Sequence, residues 1–348
     1  MKSAKKTATM TQVAKLAGVS QTTVSLVLNG KNADNIPLET QEKVLEASKK
    51  LGYRVNRLAG ALNGAGSGMI GLLADELITT NFASDIVQGA QDMAWENDKT
   101  VMIASLNGDE KRREQAINML LGYRVDAVIY ATTYYKKIAF PPQLTHIPTI
   151  LVNCYDAEKK YPCIVPDDFQ GAYDAAEYLI HNGHRDIIYF SNSLCVEGTN
   201  EKIPATILRE EGFKKALMDH GIEVRSHAIQ PLEIAGENIF QKVCAVLKSE
   251  YRPTAIMCYN DRMAVSVYSA IKALDLKIPE DISVIGYDNQ SVIVDFLNPR
   301  LTTVELPHYQ MGRAAIQYFL KDKIDSKVTK LPPKLIVGKS IKNINLEG

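Results

Sequence analysis

The chain has 348 residues, 46% of them hydrophobic, and its forty basic and forty acidic side chains leave no net charge. That length suits two or three domains with a sizeable core. No run of about 20 apolar residues occurs, which excludes a membrane-spanning helix, and the basic segment Met1 to Met10 is not followed by the apolar stretch of a secretory signal. The five cysteines, Cys154, Cys163, Cys195, Cys244 and Cys258, form no CxxC or Cys/His cluster. They read as free thiols of a reducing, cytoplasmic compartment. Charge is unevenly spread: residues 1–64 hold ten Lys/Arg against four Asp/Glu, and the remainder thirty against thirty-six. A basic head on an acidic body fits a polyanion partner for the head; a merely solvated basic surface is the alternative.

In chain order, the first predicted element starts at Thr9, where Thr9 and Gln12 have the spacing of a capping box. Val13, Leu16 and Ala17 follow on one helical face, and Gly18 ends the helix at a tight turn. Ser20 is a good N-cap for a second helix whose apolar face is Val24, Val27 and Leu28, ended by Asn29-Gly30. A third helix is expected from about Leu38 to Leu51, with Val44, Leu45 and Leu51 facing inward. Two short helices joined through Ala-Gly-Val-Ser form a helix-turn-helix. Its second helix leaves Gln21, Thr22, Ser25 and Leu26 outward, where the N-terminal part of such a helix enters the major groove. Gln bonds adenine with two hydrogen bonds, and Thr or Leu methyls touch the thymine methyl. Thr9, Ser20, Thr23 and Asn29 suit phosphate contacts. The competing reading is a three-helix bundle that binds nothing.

The stretches VAKLAGVSQTTVSLVLNG and ETQEKVLEASKKLGYRVNRLAGAL decide between them. Their AGVS, TVS, VLNG and LGY elements and an Asn-x-x-Ala pattern resemble the lactose-repressor (LacI/GalR) family, and the resemblance runs to about Ser340. Three positions depart from it: Gln12 stands where the family usually has Asp, Leu26 where many members have a base-reading Arg, and Val55 where many have Pro. The resemblance implies a hinge at 54–68 that becomes helical on DNA. There the Leu62 position wedges into the minor groove beside Arg57 and Ala59. Without the resemblance, the Gly/Ser-rich second half of this segment reads as a plain tether.

From Met69 onward, short apolar runs alternate with amphipathic stretches: MIGLLA, TVMIASL, DAVIYAT, PTILVN, DIIYFS, TAIMCY and ISVIGY. This pattern predicts repeated β-α units, parallel sheets and two lobes. The expected fold is a small all-α helix-turn-helix head (1–53), the hinge, and an α/β two-lobed body similar to periplasmic binding proteins. The body's first lobe is placed at 69–164 plus 306–324, and its second at 165–305 plus 325–348. Ligands in such sheets bind beyond the carboxyl ends of strands. Asp168, Asn260 and Asp288 follow predicted strands, Asn81 and Phe82 follow the first strand's loop, and Arg209 is expected to open a helix in an Arg-x-x-Gly-Phe pattern. Each matches a family position lining the effector cleft, with Phe82 or Tyr155 as a stacking surface for a sugar-like effector. Taken singly, each also has a plain capping or salt-bridge reading.

Enzymatic chemistry finds little support. GxSxG, P-loop and GxGxxG motifs are absent. His146, His181, His184, His220, His227 and His308 show no metal-ligand spacing, so no metal and no cofactor is expected. The expected protein is a homodimeric repressor of double-stranded operator DNA, controlled by a small-molecule effector, with no membrane partner. A solute-binding protein without a DNA role, or a sugar-processing enzyme, are the rival classes.

Overall fold

The computed structural model describes residues 8–28, 35–54, 66–75, 84–106, 108–158, 160–193, 195, 202–232, 238–321 and 328–347. The chain divides into two compact units, one ending at Ser67 and the other beginning at Gly68. The expectations placed on Asn29, Val55, Arg57, Ala59, Leu62, Asn81 and Phe82 fall outside the described residues.

In the first unit, α1 (Met10–Ala17) opens with the capping box: the Thr9 N–H donates to Gln12 Oε1 (2.9 Å), and the Gln12 N–H donates to Thr9 Oγ1 (3.4 Å). Gly18 closes it in the left-handed conformation. Helix α2 (Gln21–Leu28) and α3 (Leu38–Leu51) complete the bundle. Val13, Ala14, Val24, Val27, Val44 and Ala47 are its buried core. Leu16, Leu45 and Leu51 are not inward-facing as expected; they are 48%, 53% and 37% exposed. At 100° per residue, Leu16 and Leu45 lie about 80° from the midlines of the Val13–Ala17 and Val44–Ser48 pairs, at the margin of each apolar stripe, and Leu51 sits on the last helical position.

The second unit holds two parallel sheets. The first comprises β1 (Met69–Asp75), β2 (Thr100–Ser105), β3 (Ala127–Ile138), β4 (Thr149–Asp156), β5 (Cys163–Pro166) and, from late in the chain, β11 (Val328–Leu331), in the order β11-β5-β4-β3-β1-β2. Helices α4 (Ser84–Trp95) and α5 (Glu110–Gly122) connect its early strands. The second sheet has the order β7-β6-β8-β9 and comprises β6 (Ile187–Asn192), β7 (Ile229–Leu232), β8 (Ala255–Cys258) and β9 (Ser283–Ile285). Around it lie α6 (Asp168–His181), α7 (Pro204–Asp219), α8 (Asn238–Leu247), α9 (Asp261–Ala273) and the short α10 (Ser291–Val294). Strands such as Ile70–Asp75 and Ile187–Asn192 are buried throughout, because parallel sheets are covered on both faces.

Three passages join the lobes: β5 into α6, β10 (Thr303–Glu305) into α11 (His308–Leu320), and β11 into β12 (Lys334–Ile336). Strand β12 pairs antiparallel with β10. The last passage corrects the expected return at 324/325. Val328 to Leu331 pair parallel with Cys163 to Pro166 in the first sheet, so the chain turns back only at Pro332-Pro333, where two residues without an N–H cannot continue the ladder.

Helix α11 packs on α4 through glycines on both sides. A Cβ at Gly312 would fall well inside contact distance of the Ile86 carbonyl, and one at Gly89 inside that of Tyr309. Backbone cannot yield as a side chain does. Gly312→Ala is therefore expected to lower folding stability by about 1–3 kcal/mol, read as an earlier denaturant midpoint. An unchanged midpoint would show that the two helices have room to separate.

Candidate effector cleft and DNA-reading face

Residues at or past the carboxyl ends of β3, β4 and β5 in one lobe and of β8 and β9 in the other line one narrow cleft, about 540 Å³ when the solvent at its mouth is included. Its centre is Arg209. This residue does not open α7 as expected but sits in its second turn, and only 5% of its side chain is exposed. Its Nε donates to Asp168 Oδ1 (2.7 Å), and one terminal nitrogen donates to the Tyr259 carbonyl (2.8 Å). The other terminal nitrogen stands 3.6 Å from Asp288 Oδ1. The guanidinium lies over the Tyr287 ring, 3.7 Å from its centroid, and 4.6 Å from that of Tyr259.

One cation therefore serves two buried carboxylates. Burial raises the Asp168 carboxyl above its ordinary range and Arg209 opposes that rise; burial likewise pushes Asp288 up to about 6, again against Arg209. Asp168 is the first residue of α6, where the helix N-terminus favours negative charge. Its Oδ2 is buried and has no hydrogen-bond partner. Asp288 has φ +99°, a sparsely populated conformation for a non-glycine residue, and its backbone N–H is anchored to the Val304 carbonyl (2.7 Å). Gln290 Nε2 donates to its Oδ2 (3.2 Å).

Asn260 lines the cleft, but its Oδ1 is used as the N-cap of α9, accepting from the Met263 N–H (3.0 Å). The next residue, Asp261, is fully buried. It accepts from Thr303 Oγ1 and the Gln290 N–H, both at 2.7 Å, and burial together with Asp288 pushes it up to about 8. The first lobe contributes Thr133, Tyr134, Tyr135 and Asn153, which sequence reasoning missed. Asn153 has φ +58° within β4; its Nδ2 donates to the Thr132 and Thr133 carbonyls, and its Oδ1 is buried without a partner. Tyr155, a possible stacking residue by sequence, instead meets Tyr135 ring to ring at 5.4 Å and does not line the cleft. His184 is buried between Thr254 Oγ1 (3.0 Å) and the Lys342 carbonyl (3.1 Å), which gives it a structural role.

In the head, Ser20 caps α2: its Oγ accepts from the Thr23 N–H (3.1 Å) and lies 2.9 Å from Thr23 Oγ1. Gln21 and Thr22 are exposed on the first turn, while Ser25 and Leu26 are half-buried. Gln21 Nε2 donates to Thr11 Oγ1 (3.0 Å) across the turn, so Thr11 orients the Gln21 side chain.

Residues 9–56 match the family of bacterial regulatory proteins known as the lacI family, and residues 176–341 match a periplasmic binding protein-like domain. The HTH-type transcriptional repressor PurR of Vibrio vulnificus is 32% identical over 344 residues, covering 97% of this chain and 100% of that protein. This chain belongs to the lacI family. A transcriptional regulator of the same family from Rhizobium etli has a similar structure, with a TM-score of 0.70 and 32% identity over 79% of this chain and 99% of that one. The lac repressor dimer, solved with operator and the anti-inducer ONPF, gives a TM-score of 0.75 at 26% identity over 97% and 100% of the two chains. As a lacI-family member with a helix-turn-helix head, the chain is a DNA-binding transcription regulator, and its curated relatives are repressors rather than enzymes. No described helix is long and apolar enough to cross a membrane.

Proposed function

We propose that this lacI-family regulator is a cytoplasmic homodimeric repressor whose affinity for a two-fold operator is set by a small polar effector held between the lobes. The head (1–53) reads DNA through Gln21, Thr22, Ser25 and Leu26, with Thr9, Ser20, Thr23 and Asn29 on the phosphates. The hinge (54–68) couples it to the body through Arg57, Ala59 and Leu62. The first lobe is 69–166 with 306–331, and the second is 167–305 with 332–348, because Val165 and Pro166 still pair with Lys330 and Leu331 in the first sheet. Asp168, Arg209 and Asp288 grip the effector, and Asn260 shapes the wall. Asn81 and Phe82 are assigned to the same cleft by family position.

The observation that carries this reading is the buried Asp168–Arg209–Asp288 cluster, with an unpartnered Asp168 Oδ2 in a space lined by both lobes. A carboxylate oxygen held in place without a donor calls for a ligand hydroxyl or N–H. Sugars and nucleosides or their bases carry such groups. Titrating a panel of both into the full chain by calorimetry identifies the effector. Asp168→Asn is then expected to weaken it by roughly 10- to 100-fold, because the free acceptor becomes a donor while Oδ1 can still face Arg209. Unchanged affinity in this variant would remove Asp168 from the site.

A further inference from the structure

The six histidines show no metal-ligand spacing along the chain, yet folding brings two of them together with a carboxylate. Glu177 and His181 lie four residues apart on α6, which places them on one face. His220, the C-cap of α7, meets them from the neighbouring helix. One ligand atom from each of Glu177, His181 and His220 lies within 4.8 Å of the others. His220 Nε2 stands 3.8 Å from Glu177 Oε1, and the two imidazoles meet edge to face at 5.4 Å and 81°. Ligands bound tetrahedrally at 2.0–2.2 Å sit about 3.3 Å apart, so small side-chain rotations close the remaining gap. The 38 residues that separate His181 from His220, containing β6 and the whole of α7, hid this grouping from the sequence.

Two further features favour a cation here. His220 Nδ1 lies 3.0 Å from the Ala216 carbonyl. A carbonyl accepts only, so this bond puts a proton on Nδ1, and in the neutral ring the Nε2 lone pair is left on the side of Glu177. Metal-binding histidines are oriented in this way by a bond from their other ring nitrogen. The C-terminal ends of α6 and α7 also converge at this point, since His181 ends one and His220 caps the other. Both helix dipoles present their negative ends to it. Asp219 adds a nearby carboxylate, hydrogen-bonded by Tyr173 of α6 (3.3 Å) and paired with Lys215.

We infer that Glu177, His181 and His220 form a site for a zinc-type divalent cation that staples α6 to α7. Two imidazoles and one carboxylate match the borderline character of zinc better than that of magnesium or calcium, and three protein ligands leave a fourth position for water. The stapled helices are the two that carry Asp168 and Arg209, but the site is on their far ends and stands independently of the effector reading.

Zinc chloride titrated calorimetrically into the full-length chain is expected to bind at one equivalent per chain with micromolar or better affinity, and to raise Tm. Cobalt(II) in its place is expected to give the intense visible absorption of a four-coordinate ion. His181→Ala and His220→Ala should each weaken zinc by more than tenfold, roughly the loss that even an outer-sphere change causes, and should remove the Tm increment. Cys195→Ser and Cys244→Ser should leave all three readouts in place. His181 is exposed and His220 half-buried, so circular dichroism is expected to show that both variants fold. Absence of saturable binding at micromolar zinc, or equal binding in the His181→Ala/His220→Ala double variant, would overturn the assignment. So would loss of the site on removing a cysteine.

Discussion

Arg209→Met is expected to lower folding stability by about 3–5 kcal/mol at neutral pH and to abolish effector binding. The variant keeps the aliphatic stem of the side chain and removes the only cation ion-paired with Asp168 and Asp288 among the described residues. Breaking a buried ion pair from one side costs this much because the partner charge is left uncompensated. Here two carboxylates are left, in a site that also loses the contact over the Tyr287 ring and the bond to the Tyr259 carbonyl. The deficit should shrink on acidification, because Asp288 takes up a proton near pH 6 even beside the guanidinium, and higher without it. Arg209→Lys should fall between, since it restores the charge without the planar fork. Denaturant titrations of the three proteins at pH 7 and pH 5 check this. A Met variant as stable as the parent at pH 7 would mean that Asp168 and Asp288 do not depend on Arg209.

The same residues show which parts of the site could be read without a structure. Arg209 and Asp288 stood in recognisable patterns, and the seven apolar runs coincide with β1 to β4, β6, β8 and β9 because buried parallel strands are apolar without interruption. Two of the four edge strands of these sheets, β7 and β11, were not legible. Ile229–Leu232 contains a proline, and Val328–Leu331 alternates between exposed and half-buried positions, so neither shows a continuous apolar run. Nor was the first lobe's share of the cleft. Strand β3 continues past its apolar run through Thr-Thr-Tyr-Tyr-Lys-Lys, with a register shift against β4 between Ala131 and Lys136, and this polar extension carries Thr133, Tyr134 and Tyr135 into the cleft. At Asn260-Asp261 the pattern pointed to the right place but not to how the two side chains are used. Only hydrogen bonding separates an N-cap from its neighbour, and that depends on where Thr303 and Gln290 arrive from later in the chain.

Asp261→Asn is expected to be tolerated at pH 4 and to make the protein relatively more stable as the pH rises to 8. Asp261 is fully buried, and its carboxyl is held up to about 8 by burial and by Asp288, against an ordinary value near 3.8. A carboxyl whose folded pKa lies above its unfolded one binds its proton more tightly in the folded state. Its contribution to stability is complete below the unfolded value and is lost as pH climbs through the folded one. Every tenfold difference in proton affinity between the folded and unfolded states corresponds to about 1.4 kcal/mol, so between pH 4 and pH 8 this group alone tilts the parent's stability by on the order of several kcal/mol. The smaller rise at Asp288 adds to the tilt up to about pH 6. Asparagine suits the site in its neutral form. Its oxygen can accept from the Gln290 N–H as Oδ2 does, and its amide can donate to Thr303 Oγ1, since the hydroxyl turns to accept as readily as to donate. The variant should therefore lose most of the parent's decline between pH 4 and pH 8, leaving the part due to Asp288. Urea unfolding of both proteins at unit pH steps gives the two slopes. A variant that is destabilised most at pH 8 would reverse the sign, and would identify Asp261 as an ionised anchor that needs its charge at the start of α9.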